Sequence, residues 1–195
     1  TGIVFLSLYS KATIHLTQNA WYSQSSDLFF KYLTLAGDGW VYAAVVPLFL
    51  FFPRRYFIGL IFSALLTLFL SAGLKSYFKE MERPVKYFEG KHQLHLVEGV
   101  HNHSFKSFPS GHTTTAFACW GFIALMLRSA TWQFGLAILS LLIGYSRIAI
   151  SQHFLMDVVA GTVLGTIIAS ISLMLCLKIN KSWADKVLVN VKHKN

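Results

Sequence analysis

Residues 56–74 read YFIGLIFSALLTLFLSAGL, an apolar run without a single charged side chain. A run of that length matches the roughly 20 residues a helix needs to cross the hydrocarbon core of a bilayer. It sets lipid as the solvent in which the rest of the chain is read. The whole composition agrees: of 195 residues, 54% are hydrophobic and 15% aromatic, while only 13% are charged, outside the balance of soluble domains. Seventeen Lys and Arg against eight Asp and Glu give a net charge of +9. In a soluble protein this excess would invite a nucleic-acid reading. Among apolar spans it instead sets topology, meets anionic head groups or grips phosphate, and no nucleic-acid partner is expected.

Outward from that run, residues 40–52, 113–128, 132–150 and 157–177 also read as helical spans. The apolar piece at residues 2–9 is too short to cross and reads as the tail of a truncated first helix. The expected fold is therefore all-α, a polytopic membrane helix bundle with five complete spans plus that truncated first. It forms a single integral-membrane domain over residues 1–195. Pro47 falls inside the span at 40–52, which lipid tolerates if neighbours satisfy the freed carbonyl. Gly161 and Gly165 form a Gly-x-x-x-Gly step suited to close helix packing. Cys119 and Cys176 lie in apolar runs and read as small hydrophobes, and neither a zinc spacing nor a Walker loop occurs.

The connections divide into two faces. Pro53-Arg54-Arg55, residues 128–131 and a basic tail at 178–195 with Lys178, Lys181, Lys186, Lys192 and Lys194 are assigned to the cytoplasm. Opposite them lie residues 10–39, 75–112 and 151–156. Residues 11–39 suit an interfacial segment, either a helix lying in the interface or a connecting loop. Residues 85–108 form an extracytoplasmic loop on the substrate side. Its His92, His95, His101 and His103 lack helical His-x-x-x-His pairing and read as contacts to head groups, with no metal site expected.

Three clusters meet on that second face. Lys75-Ser-Tyr-Phe-Lys-Glu-Met-Glu-Arg83-Pro84 ends one span. Lys75 either grips anionic oxygens or snorkels to the interface, and Arg83 offers a planar fork suited to phosphate. Phe108-Pro109-Ser110-Gly111-His112-Thr113 opens the next span, where the N–H groups of Gly111 and His112 can face an anion and Ser110 adds a hydroxyl. The same residues also suit a plain capped helix start. Ser146-Arg147 through His153 to Asp157 joins two further spans. His153 and Asp157, four apart, share a helix face, so the carboxylate can fix the ring tautomer and leave the other nitrogen free as a nucleophile. Ionisable groups at a span edge are costly unless they serve a site.

These clusters, in this order and between spans, resemble the signature of the type 2 phosphatidic acid phosphatase superfamily, which also holds vanadium-dependent haloperoxidases and bacterial acid phosphatases. The second and third motifs match fully. The family pattern has six residues between its Lys and its Arg-Pro, whereas seven separate Lys75 from Arg83, so a bulge or extra turn is expected after Lys75. The resemblance implies that His153 attacks phosphorus to form a phosphohistidine, that Asp157 orients it, and that His112 protonates the leaving oxygen. It implies that Lys75, Arg83, Ser110, Gly111 and Arg147 hold the phosphoryl oxygens, with no metal and no cofactor.

The function expected is that of a metal-independent membrane lipid phosphatase. Candidate substrates are phosphatidic acid, phosphatidylglycerol phosphate, undecaprenyl diphosphate and the phosphates of lipid A. Membrane lipids and the lipid phosphate are the expected partners, without an obligate protein partner. The expected site faces the periplasm across a bacterial inner membrane. A phosphotransferase using the same phosphohistidine, or a noncatalytic lipid-binding or transport protein of this fold, are the rival readings.

Overall fold

The computed structural model describes residues 2–179 and 181–189. In chain order it contains α1 (Gly2–Leu8), α2 (Lys11–Asn19), α3 (Gln24–Leu33), α4 (Trp40–Val45), α5 (Arg54–Tyr77), α6 (Pro84–Phe88), α7 (Gly111–Met126), α8 (Ala130–Ala149), α9 (Leu155–Lys178) and α10 (Lys181–Ala184). Short 3-10 segments occupy Thr34–Gly37 and Val46–Phe51. Among the described residues there is no strand, only an isolated bridge between Pro53 and Val187. The all-α bundle follows from the apolar runs, because a helix satisfies every backbone group within the segment itself.

Among the described residues three helices, α5, α8 and α9, are each long and apolar enough to cross a bilayer, and the bent pair before residue 54 makes four if it is one span, beside the five complete spans expected. Residues 40–52 are not one continuous α-helix. Helix α4 has six residues, and Pro47 stands at the start of the 3-10 segment that follows it. Proline lacks an N–H and its ring crowds the preceding turn, so the α-helix stops there. Residues 11–39 hold more than one helix. Ser10 and Ser23 cap two separate helices, α2 and α3. Gln24–Gly37 and Trp40–Phe51 then form a pair bent by 65°, with Asp38 and Gly39 at the break.

Helix α7 covers Gly111–Met126 in place of the expected 113–128. At 1.5 Å per residue its length is about 24 Å, less than the hydrocarbon thickness of about 30 Å. It is packed by α5, α8 and α9, and Ala116, Ala118, Cys119 and Phe122 are wholly inaccessible. Enclosed by protein, it has no need to match the lipid. Around it the bundle is apolar outside and polar within: Leu68, Phe69, Leu141, Val163 and Met174 are exposed, while Ser63, Thr113, Thr114, Ser140 and Ser172 are buried. This suits a lipid-facing bundle whose helices adhere through packing and interhelical hydrogen bonds. One such contact ties α4 to α5, where the Tyr42 hydroxyl lies 2.9 Å from Ser63 Oγ and 3.2 Å from Thr67 Oγ1.

Helix α9 lies against α7 on its two glycines. A Cβ at Gly165 would fall 2.6 Å from the Thr114 carbonyl oxygen, and one at Gly161 would fall 2.8 Å from that of Ser110. Gly165→Val is expected to destabilise the protein by about 2–3 kcal/mol through overpacking, read as a lower melting temperature in detergent. Melting unchanged from wild type would contradict this close approach.

The helices sort the connections into two ends. At one, the Arg54 N–H donates to the Lys186 carbonyl at 3.0 Å, Arg55 pairs with Asp185, and the Val189 N–H donates to the Leu50 carbonyl at 3.1 Å. The basic turn at 53–55 thus meets the tail, of which Lys192 and Lys194 lie outside the described residues. The other end gathers the C-termini of α5 and α8 with the N-termini of α7 and α9, and all three charged clusters stand there.

Candidate active site

The end of α8 sets the first part of the site. Ser151 takes a left-handed conformation, φ 54°, and the Arg147 carbonyl accepts from the N–H groups of both Gln152 and His153 at 3.0 Å. A left-handed residue closes a helix while satisfying its last carbonyls. The chain then turns into α9, presenting His153 directly before the new helix. Asp157, in the first turn of α9, accepts three hydrogen bonds on Oδ2: from Ser107 Oγ at 2.5 Å, from the Phe154 N–H at 3.0 Å and from His153 Nδ1 at 3.3 Å. With Nδ1 committed to the carboxylate, Nε2 is the ring nitrogen left free. Both side chains are 1% exposed.

Burial first, then the positive charges of Arg83, Arg147 and Lys75, hold the His153 imidazolium well below its usual range, against a backbone hydrogen bond with Ser107. At neutral pH the ring is therefore a neutral imidazole, the form in which it can attack an electrophile. His103 is lowered likewise, by burial and then by Arg83, His101, Lys75 and Arg147.

Arg83 follows the helical turn at residues 78–80, where the Met81 N–H donates to the Phe78 carbonyl at 3.1 Å. That turn accommodates the seventh residue after Lys75. Arg83 donates from Nε to the Phe105 carbonyl at 3.0 Å and from Nη1 to Gln152 Oε1 at 3.1 Å. Gln152 is in turn held by its own Nε2, which donates to Asn102 Oδ1 at 2.6 Å. Arg147 donates from Nη1 to Thr34 Oγ1 at 2.7 Å, while its buried Nε has no partner among the described residues. Lys75 Nζ would lie 3.0 Å from a Cβ at Gly111, so the glycine leaves room for the ammonium beside the start of α7.

Lys75, Arg83, His112, Arg147 and His153 all line one polar cavity of about 530 Å³. Five of the eight candidate residues therefore share a chamber, which converges cations and a helix N-terminus on one volume. Gly111 lines an adjoining cavity. Asp157 and Ser110 stand behind the walls: Ser110, fully buried, caps α7 by accepting from the Thr113 N–H at 3.4 Å, accepts also from Thr113 Oγ1 at 2.8 Å, and its own N–H donates to the Asp157 carbonyl at 3.0 Å. Ser110 thereby locks the second motif to the third.

The histidine-bearing loop covers the chamber. His101 and His103 line it, their rings 4.7 Å apart, whereas His95 stacks on Tyr22 at 3.7 Å and its Nε2 lies 2.8 Å from Asp27 Oδ2. Among the described residues no group of three or more His, Cys, Asp or Glu is placed to hold a metal ion. Sequence reasoning passed over Asp38, Thr34, Ser107, Gln152, Asn19 and His15. Asn19 Nδ2 donates to Ser151 Oγ at 3.0 Å and to the His95 carbonyl at 2.8 Å. His15, 3.3 Å from the same hydroxyl and wedged against Phe154 and Phe88, is pushed down to about 4 by burial. Together α2 clamps the loop that carries His153. The available signal was polar residues on one side of a short helix.

A second cavity of about 490 Å³ joins the chamber through Asp38, Lys75 and His112 and runs between α4 and α5, past Tyr42, Ala64, Leu68 and Ala72. A charged chamber thus opens onto an apolar groove.

Comparison with known proteins places this architecture. The sequence is 29% identical over 147 residues to an undecaprenyl-diphosphatase of Sulfolobus acidocaldarius, covering 74% of this chain and 68% of that protein. It is 36% identical over 86 residues to the undecaprenyl-diphosphatase BcrC of Bacillus subtilis, covering 42% of each. Among solved structures, the crystal structure of Aquifex aeolicus LpxE superposes with a TM-score of 0.71 at 28% identity, covering 83% of this chain and 93% of that one. A Bacillus subtilis transmembrane phosphatidylglycerolphosphate phosphatase shares the fold at a TM-score of 0.63 and 21% identity, covering 88% and 87%. The profile of the PAP2 superfamily matches residues 56–181, from the first long span through all three charged clusters, and this multi-pass membrane protein belongs to that superfamily.

Proposed function

We propose that this membrane lipid phosphatase of the PAP2 type removes a phosphomonoester or diphosphate group from a lipid through a phosphohistidine on His153. The observation that carries the reading is the polar chamber opening onto an apolar groove, with Lys75 and His112 at the junction. An amphiphile needs both compartments: cations for its phosphate and an apolar wall for its chain. His153 Nε2 attacks phosphorus, the bond to the lipid oxygen breaks, and that oxygen takes a proton from His112. Water, deprotonated by His112, then attacks the phosphohistidine and frees inorganic phosphate. Lys75, Arg83, Arg147 and the N-terminus of α7 at Gly111 stabilise the charge that builds on the phosphoryl oxygens, while Ser110 holds that helix end in place. The basic end at residues 53–55 favours the cytoplasm, which would turn the chamber to the periplasmic side of a bacterial inner membrane.

The test is phosphate release in detergent from phosphatidic acid, phosphatidylglycerol phosphate, undecaprenyl diphosphate and lipid A phosphate, with and without EDTA. The expected outcome is release from at least one of the four at a rate that EDTA leaves unchanged, and the fastest names the substrate. A rate abolished by EDTA would contradict the metal-free mechanism. Transfer of the phosphoryl group to a second lipid in place of water would identify a phosphotransferase.

A further inference from the structure

Asp38 belongs to none of the three charged clusters, yet it lines both the polar chamber and the apolar groove. Its Oδ2 lies 3.7 Å from His112 Nε2, an ion-pair distance once the ring is charged. The local chain explains why it stands there. A Cβ at Gly37 would fall 2.8 Å from the His112 carbonyl oxygen and 2.5 Å from Ile143 Cγ2, so only glycine brings this turn onto the start of α7. The Asp38 N–H donates to the Leu35 carbonyl at 3.1 Å, and its carbonyl accepts from the Val41 N–H at 3.0 Å, which holds the residue at the 65° break. The carboxylate is not spent on helix capping, because the residue at the N-cap of α4 is Gly39 and no side chain caps that helix.

We propose that Asp38 is a positioning residue for His112, a counter-ion that holds its imidazolium beside the leaving oxygen. The role rests on the phosphohistidine reading above. Burial first, then Arg147, His153, Lys75 and Arg83, from α8, the turn before α9, α5 and the loop after it, pull the His112 imidazolium below its usual range. Each cation there repels an imidazolium, and the other carboxylate of the site, Asp157, is committed to three hydrogen bonds behind His153. Asp38 supplies the missing negative charge on the open side of the ring. The site thus contains two His-carboxylate pairs with different tasks: Asp157 supports the nucleophile, and Asp38 supports the acid.

The proton count is simple. In the first step the nitrogen–phosphorus bond forms on His153, the phosphorus–oxygen bond to the lipid breaks, and the departing oxygen takes the proton of the His112 imidazolium. In the second, neutral His112 takes a proton from water, the resulting oxygen bonds phosphorus, and the nitrogen–phosphorus bond breaks. Asp38 remains a carboxylate throughout, so its effect scales with how much the leaving group needs that proton.

The experiment compares phosphatidic acid, whose alkoxide must be protonated as it leaves, with p-nitrophenyl phosphate, whose aryl oxide departs as a stable anion. Asp38→Asn is expected to lower kcat on phosphatidic acid by about 100-fold, the usual size of a general-acid contribution, with a loss on the aryl ester at least about tenfold smaller. Asp38→Glu, which keeps the charge, is expected to recover part of the loss on the lipid. Both substrates are read on one preparation, so loss from partial unfolding cancels in their ratio. Equal losses on the two, or none on either, with an active wild type would overturn the role of Asp38 and leave the phosphatase reading standing. A wild type that releases phosphate from neither substrate would overturn both.

Discussion

Protein carrying His153→Ala is expected to release lipid phosphate at least about 10⁴-fold more slowly than wild type, the scale of loss when a covalent nucleophile is removed. It is also expected to retain no label when mixed with a radiolabelled substrate and quenched in alkali, where phosphohistidine survives. His153 is the imidazole whose Nδ1 is committed to a carboxylate, and its ring lies in the wall of the same chamber as Arg83, Arg147 and Lys75. His112, the other histidine from the charged clusters, faces Asp38 at the mouth of the groove, where we propose that it serves the leaving group. Label retained by the His153 variant would place the nucleophile elsewhere and end the proposed mechanism. The reciprocal variant, His112→Asn, is expected to retain label from an aryl phosphate, because the second step then lacks its base.

Asp157→Asn carries the second large effect, a fall of about 10⁴-fold in kcat with the fold retained, comparable to losing the orienting carboxylate of a hydrolytic triad. The amide oxygen can still accept from Ser107 Oγ, the Phe154 N–H and His153 Nδ1, so the packing around this 1% exposed side chain persists. What disappears is the negative charge that, in the proposed mechanism, stabilises the ring once it bears phosphorus. Asp157→Ala differs in kind. It strands a buried hydroxyl and a buried N–H, each at about 1–3 kcal/mol, and is expected to lower stability as well as activity. Wild-type turnover by the Asn variant would show that this carboxylate acts only as a structural acceptor.

The three charged clusters could be read from one sequence because each is local. His153 stands just before α9 and Asp157 in its first turn, so the pair does not share a helix face as expected but stays within five residues, while Ser110 to Thr113 form one helix start and Lys75 to Arg83 one helix exit. The long spans were legible too, since α5, α8 and α9 are continuous apolar runs ended by charge. The region before residue 54 was harder. Its helices are short, and the break between α3 and α4 rests on Gly37, Asp38 and Gly39 at the margin of an apolar stretch. Hydropathy averages over such a break.

The support of the site lay beyond local reading. Thr34 and Arg147 are 113 residues apart, Asn19 and Ser151 are 132 apart, and Ser107 and Asp157 are 50 apart. No periodicity links such pairs. Gln152 lies beside His153 inside a charged cluster, but its role in holding Arg83 follows only from the left-handed turn at Ser151.

By itself the sequence determined the lipid solvent of this protein, its helical class, and the three charged clusters that the proposed chemistry draws on. Composition, apolar run length and short-range spacing are properties of a chain before it folds. Tertiary structure alone decided that residues 24–51 form a bent pair, that the chamber joins an apolar groove, and that Asp38 faces His112. These depend on how closely α7 can approach its neighbours, and that distance is set by packing at Gly37, Gly161 and Gly165.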